Sequence, residues 1–128
     1  MKKEVESCLI SKERSEKGLR AVFHFAPGLS VFEGHFPGLP IVPGVYLIEA
    51  ARIACEHALN RPLRIAAVEA AKFTAEVGPG ETVNVEASVS ATTGGWICQA
   101  AVTSKRGSAA QIRLRLVVPE DLVGGCVS

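Results

Sequence analysis

The sequence predicts an α+β fold, a curled antiparallel sheet wrapped around one long central helix, and three observations predict it. Across residues 45–59, Val45, Leu47, Ile48, Ala51, Ala54, Cys55, Ala58 and Leu59 cover most of a helical cylinder, so that helix is mostly buried. From Thr82 the period drops to two: Val83, Val85, Ala87 and Val89 alternate with Thr82, Asn84, Glu86 and Ser88, the pattern of a strand with one buried face. Short turn signals at Thr93-Gly94-Gly95 and across residues 105–108 then join successive strands, which makes an antiparallel meander. One buried helix and one long sheet combine as α+β.

The elements follow in order. The mostly polar stretch before Leu19 is assigned no element. Residues 19–25 read as a strand, with Ala21, Phe23 and Phe25 set against Arg20, Val22 and His24. Residues 27–44 are too rich in glycine and proline for helix or central strand. Pro43 suits a helix start and Pro62 lies just past the expected end. Residues 63–73 form the next strand, followed by the turn Gly78-Pro79-Gly80. After the strand from Thr82 come residues 96–103, then a strand in which Ala110, Ile112, Leu114 and Leu116 oppose Gln111, Arg113 and Arg115.

Composition bounds the function. The 128 residues are 48% hydrophobic and 21% charged, enough for one core and a single domain over residues 1–128, and too apolar for disorder. With 14 Lys+Arg against 13 Asp+Glu there is no basic excess to favour nucleic acid. No stretch approaches the roughly 20 apolar residues that span a bilayer, and Met1-Lys2-Lys3-Glu4-Val5-Glu6 does not open a secretory signal. Cys8, Cys55, Cys98 and Cys126 stand far apart without metal-ligand spacing; free thiols in a reducing cytoplasm are expected.

Chemistry concentrates in Phe32-Glu33-Gly34-His35-Phe36-Pro37-Gly38-Leu39-Pro40-Ile41-Val42-Pro43-Gly44-Val45, running on to Ile48-Glu49-Ala50. This stretch resembles the 3-hydroxyacyl-acyl-carrier-protein dehydratases of bacterial fatty-acid synthesis, in their dehydration-only form. Ala71-Lys72-Phe73 and Val77-Gly78-Pro79-Gly80-Glu81 resemble that family's next strand and turn. The resemblance implies a hotdog fold and a lyase that removes water from a 3-hydroxyacyl thioester to give a trans-2-enoyl thioester. It implies no metal and no bound organic cofactor, the phosphopantetheine arm arriving with the substrate on acyl carrier protein. It also implies a homodimer, in some members a trimer of dimers, with His35 of one chain facing Glu49 of the other and an apolar tunnel between them. Neither nucleic acid nor membrane is an expected partner.

Each role has a physical reason. His35 is the base, because a neutral imidazole near pH 7 accepts and returns a proton. Glu49 is the acid, provided that it is protonated, and burial on an apolar helix disfavours the charged form of a carboxyl. The backbone N–H of Gly44 polarises the thioester oxygen from the helix N-terminus. Phe36, Pro43 and Val45 are the expected apolar contacts to substrate.

Plainer readings stand beside these. His35 could be a structural histidine. Glu49, Arg52 and Glu56 fall three and four apart, as surface ion pairs do. Gly34, Gly38 and Gly44 could be turn glycines with positive φ. His24 reads as a strand residue, His57 as an exposed residue at the helix end and Tyr46 as packing. Arg113, Arg115, Lys105 and Arg106 read as a solvated face, with a carrier-protein docking patch as the functional alternative. The chain also departs from the family pattern: Ile53 stands where a glutamine is usual, Arg52 brings a charge beside the acid, and Tyr46 replaces a small or aliphatic residue. These departures point to a specialised dehydratase, for example in polyketide, aryl-polyene or other secondary lipid assembly, or to a retained fold with weak or lost activity. A hotdog acyl thioesterase and a non-catalytic acyl-carrier or lipid-binding module are the rival functions.

Overall fold

The computed structural model describes residues 1–33 and 41–119. Helix α1 (Lys2–Ser7) leads into strands β1 (Leu9–Ser15) and β2 (Gly18–His24), and a 3-10 turn (Ser30–Phe32) follows. Helix α2 (Gly44–Leu59) precedes β3 (Arg64–Phe73), β4 (Thr82–Thr92), β5 (Gly95–Ser104) and β6 (Gly107–Val117). The six strands form one sheet in the order β1-β2-β4-β5-β6-β3, antiparallel throughout. This is the expected hotdog arrangement, the sheet curling around α2.

Register explains how the helix is held. Leu19 pairs with Ala87, Ala87 with Ala100, and Ala100 with Ile112, so one inward-facing row crosses four strands, all buried. Alanines in the middle of that row face a helix that buries Ala50, Ala51 and Ala54. Small residues on both surfaces let the two backbones approach closely. Phe23, Phe25, Leu116 and Val83 fill the remaining volume and are fully buried, each such side chain stabilising the fold by about 1.5–3 kcal/mol. Helix α2 ends at Asn60, whose φ of 54° and ψ of 47° are left-handed, a conformation that asparagine tolerates. Arg14 of β1 donates from Nη1 to the Ala58 carbonyl at 2.9 Å, satisfying one of the helix's last acceptors.

Two elements escaped the sequence reading, α1 and β1. Strand β1 is exposed at all but its first residue, so it lacks the alternation that marks a half-buried strand. It is held by main-chain pairing to β2, with an irregularity between Leu9 and Ser11. The other edge, β3, is also exposed along nearly its whole length, although Val68 and Phe73 are large and apolar. Among the described residues β3 pairs on one side only, with β6.

Candidate active site

The site is built on α2, beginning at its N-terminus. Pro43 is the N-cap, with φ −61° and ψ 149° and no side-chain cap hydrogen bond. An uncapped helix start directs unpaired N–H donors and a positive dipole end outward. Gly44 opens the helix and lines a mostly apolar cleft of about 410 Å³ with Val45, Ile48, Phe73 and Ala75. Val45 is 54% exposed there. Gly44 is helical and is not among the described glycines with positive φ, Gly80, Gly94 and Gly107, so the turn-glycine reading is corrected for it. Its missing side chain serves a close approach instead: a Cβ at Gly44 would lie 2.8 Å from Cζ of Phe73.

Glu49 lies farther along α2, only 8% exposed, and its surroundings differ from the apolar setting expected. Arg52, 4% exposed, donates to Glu49 Oε1 from Nε at 2.8 Å and also from Nη2. Its Nη1 lies 2.6 Å from Glu56 Oε2 and donates to the Leu63 carbonyl at 3.1 Å. Glu56 Oε2 in turn accepts from the Leu63 N–H at 2.8 Å. Burial works against the charge on Arg52, but hydrogen bonding to and attraction by Glu49, then Glu56, hold the guanidinium above its ordinary range. The stripe of Glu49, Arg52 and Glu56 is therefore a buried ion-pair cluster and not the set of surface pairs that its spacing suggested. The expectation of Glu49 among apolar neighbours is corrected by this contact: its Oε1 is held by a buried guanidinium.

Glu49 and Arg52 line a second cleft, of about 720 Å³, together with Lys2, Leu63, Arg64 and Ile65. Within one chain, the helix N-terminus and the carboxylate thus open onto different clefts. His35 and Phe36 lie outside the described residues, as do Gly34 and Gly38. Ile53, in the place of the usual glutamine, is fully buried. Tyr46 packs in the core as expected, and its hydroxyl also donates to Glu4 Oε1 at 2.9 Å. Glu4 was missed because nothing in the N-terminal sequence ties it to α2; that contact is made by the tertiary fold. His24 is a strand residue whose Nδ1 is 3.0 Å from Thr82 Oγ1. His57 sits in the last turn of α2, its Nδ1 2.9 Å from Lys12 Nζ.

On the outer face, Arg113 and Arg115 both donate to Glu69, at 3.0 Å each. Cys8, Cys55 and Cys98 are free and buried. Among the described residues no three His, Cys, Asp or Glu side chains come together to hold a metal ion. No helix among them is long and apolar enough to cross a membrane.

Comparison with known proteins places these features in a family. Residues 11–113 match the model of the ApeI-like family, described as ApeI dehydratase. A curated relative, the 3-hydroxyacyl-[acyl-carrier-protein] dehydratase FabZ of Thermus thermophilus, is 38% identical over 90 residues, 64% of this chain and 61% of that protein. FabZ of Alkalilimnicola ehrlichii is 32% identical over 100 residues, 70% of this chain and 64% of its own. The chain therefore spans somewhat under two thirds of the length of these relatives. Among solved structures, the dehydratase heterocomplex ApeI:P of Xenorhabdus doucetiae superposes with a TM-score of 0.70 at 22% identity, covering 85% of this chain and 96% of that one. The E. coli PaaI protein from the phenylacetic acid degradation operon gives 0.66 at 14% identity, covering 90% and 83%. Both share the hotdog fold. On the match over residues 11–113, the chain belongs to the ApeI-like dehydratase family.

Proposed function

We propose that this protein dehydrates 3-hydroxyacyl thioesters carried on acyl carrier protein to trans-2-enoyl thioesters, in fatty-acid or related polyketide or aryl-polyene synthesis. The observation that carries the reading is a buried carboxyl side chain, Glu49, on the same helix whose uncapped N-terminus at Gly44 opens an apolar cleft. His35 takes the proton from the carbon next to the carbonyl. The thioester oxygen gains negative charge and is met by the Gly44 N–H, a contact of a kind worth about 3–4 kcal/mol in a transition state. The C–O bond to the hydroxyl then breaks, and the hydroxyl leaves as water with a proton from Glu49. The proton held by His35 returns through solvent to restore Glu49.

Arg52 is a feature that this scheme must accommodate. Both of its donors to Glu49 fall on Oε1. We assign the transferred proton to Oε2, which lies outside that pairing. Phe36, Pro43 and Val45 are assigned to the acyl chain, with Val45 the exposed one on the described cleft wall.

The catalytic unit we propose is a homodimer, with His35 and Gly44 of one chain and Glu49 of the other at each site; a trimer of dimers is the further assembly. The separation of Gly44 and Glu49 onto different clefts of one chain supports this. So does the one-sided edge strand β3 with Val68 and Phe73 exposed, since an open apolar edge invites a second strand. No metal or organic cofactor takes part in the scheme. The free buried thiols support a cytoplasmic setting.

The test is a 3-hydroxyoctanoyl thioester of acyl carrier protein, followed by the absorbance of the conjugated enoyl product. His35→Ala and Glu49→Gln, each verified as folded and of parental oligomeric state, are expected to lose about 100- to 10,000-fold in kcat. Parental turnover by both variants overturns the assignment. Release of free thiol without enoyl product identifies a thioesterase instead, and saturable binding without chemistry identifies a carrier-binding module.

A further inference from the structure

One carboxylate near the N-terminus reaches both flanks of the motif that carries His35. Glu4, on α1, accepts a hydrogen bond at Oε1 from the Tyr46 hydroxyl at 2.9 Å. Its other oxygen, Oε2, accepts from the Ser30 hydroxyl. Ser30 and Val31 begin the 3-10 turn that ends at Phe32, just before the motif's Gly34-His35. Tyr46 stands in the first turn of α2, just after its Pro43-Gly44. Residues 30 and 46 are far apart in sequence, and Glu4 is the shared acceptor for both. Tyr46 is itself 9% exposed and belongs to the core, so its hydroxyl is placed by packing. Val5, beside Glu4, is fully buried and seats α1 on the same core.

We propose that Glu4 is a positioning residue for the dehydration described above: it braces the entry and exit of the His35 segment against each other through Ser30 and Tyr46. This rests on the proposed reaction, in which base and oxyanion donor come from opposite ends of that segment. Glu4 touches no reacting atom. Its effect is on the spacing between the two ends, and a misplacement of about 1 Å in such a site can cost up to roughly a hundredfold in rate. A carboxylate suits the task because its two oxygens serve two donors at once. A glutamine keeps the length and one acceptor oxygen, and its NH₂ group can donate to a hydroxyl oxygen, so it preserves most of the brace. Alanine removes it.

The experiment compares Glu4→Ala, Glu4→Gln, Tyr46→Phe and the double variant Glu4→Ala/Tyr46→Phe in the full chain. Turnover of 3-hydroxyoctanoyl-acyl-carrier protein is measured alongside amide hydrogen exchange across residues 29–33 and 41–46. Glu4→Ala and Tyr46→Phe are expected to lower kcat about tenfold or more, with KM within about twofold. Glu4→Gln is expected to recover at least half of the parental kcat. The double variant is expected to be no slower than the slower single one, because both break one brace. Exchange at the described flanks, residues 29–33 and 41–46, is expected to quicken in Glu4→Ala and to stay parental in Glu4→Gln. A folded Glu4→Ala variant with parental kcat and parental exchange overturns the brace. So does an equal loss in Glu4→Gln and Glu4→Ala, or losses that simply multiply in the double variant. A parental protein that forms no enoyl product overturns the dehydratase reading instead, and with it the positioning role.

Discussion

At the scale of single residues, Gly44, Glu4 and Tyr46 show how narrow the tolerances are. A methyl group at Gly44 meets the Phe73 ring at 2.8 Å, and because that ring is the far end of a half-exposed side chain it can swing aside at little cost in stability. Gly44→Ala is expected to leave the urea midpoint near the parental value while lowering kcat, because the displaced ring and the added methyl both intrude on the cleft. Tyr46 is the chain's one tyrosine, which makes its ionisation directly readable by phenolate absorbance. Burial first, then the hydrogen bond to Glu4 and its charge, push the phenol up to about 12. The expected titration is therefore near pH 12 in the folded protein, against about 10 in the unfolded chain. Because the folded value is the raised one, this group's contribution to stability is complete below about pH 10 and is lost as the pH climbs through about 12. Glu4 has the opposite sign. The Ser30 hydrogen bond, opposed by burial and aided by Tyr46, holds its carboxyl below the ordinary range. Its contribution is thus present above the ordinary carboxylate value and is lost as acid reaches the lowered one. Glu4→Gln should flatten that acid limb in a plot of stability against pH.

At the scale of elements, the Arg52 cluster ties α2 to the start of β3, since Arg52 and Glu56 both bond the backbone of Leu63. Arg52→Met leaves the buried Glu49 and the half-buried Glu56 without their cation, and breaking a buried pair from one side costs about 3–5 kcal/mol. Arg52→Met/Glu49→Gln/Glu56→Gln should recover most of that loss in urea unfolding, because the stranded charges go with the cation. The edge strand β3 makes a different kind of prediction. Val68 is 47% exposed on it, and a charge there is a common device against strand-to-strand association. Val68→Lys is expected to shift the protein toward monomer in sedimentation and to reduce dehydration in step, as a site shared between chains requires. Full activity in a monomer would count against the shared site.

At the scale of the molecule, the apolar period of residues 45–59 and the alternation after Thr82 were enough to place α2 and the β4-β5-β6 meander to within about three residues at their ends. Those signals are strong because each element buries one defined surface. Strand β1 gave no such signal because it is exposed almost throughout, and α1 is a short helix with one buried residue, Val5. The order β1-β2-β4-β5-β6-β3 depends on pairings between distant segments, which local periodicity does not encode. The site divides in the same way. The motif from Gly34 to Glu49 was legible because its residue types and spacing are unusual, and membership of the ApeI-like family follows from the match over residues 11–113.

The sequence by itself determined the fold class, the central helix and the candidates His35, Glu49 and Gly44, because hydrophobic period and motif spacing are properties of contiguous chain. Only the tertiary structure decided that the Glu49–Arg52 pair, already within reach by helix spacing, is buried, and that Glu4 joins Ser30 to Tyr46. The physical reason is that burial and long-range contacts both depend on the packing of distant segments. A charged side chain is drawn to whichever partner the packed fold brings within reach, and for Glu4 those partners lie 26 and 42 residues away along the chain.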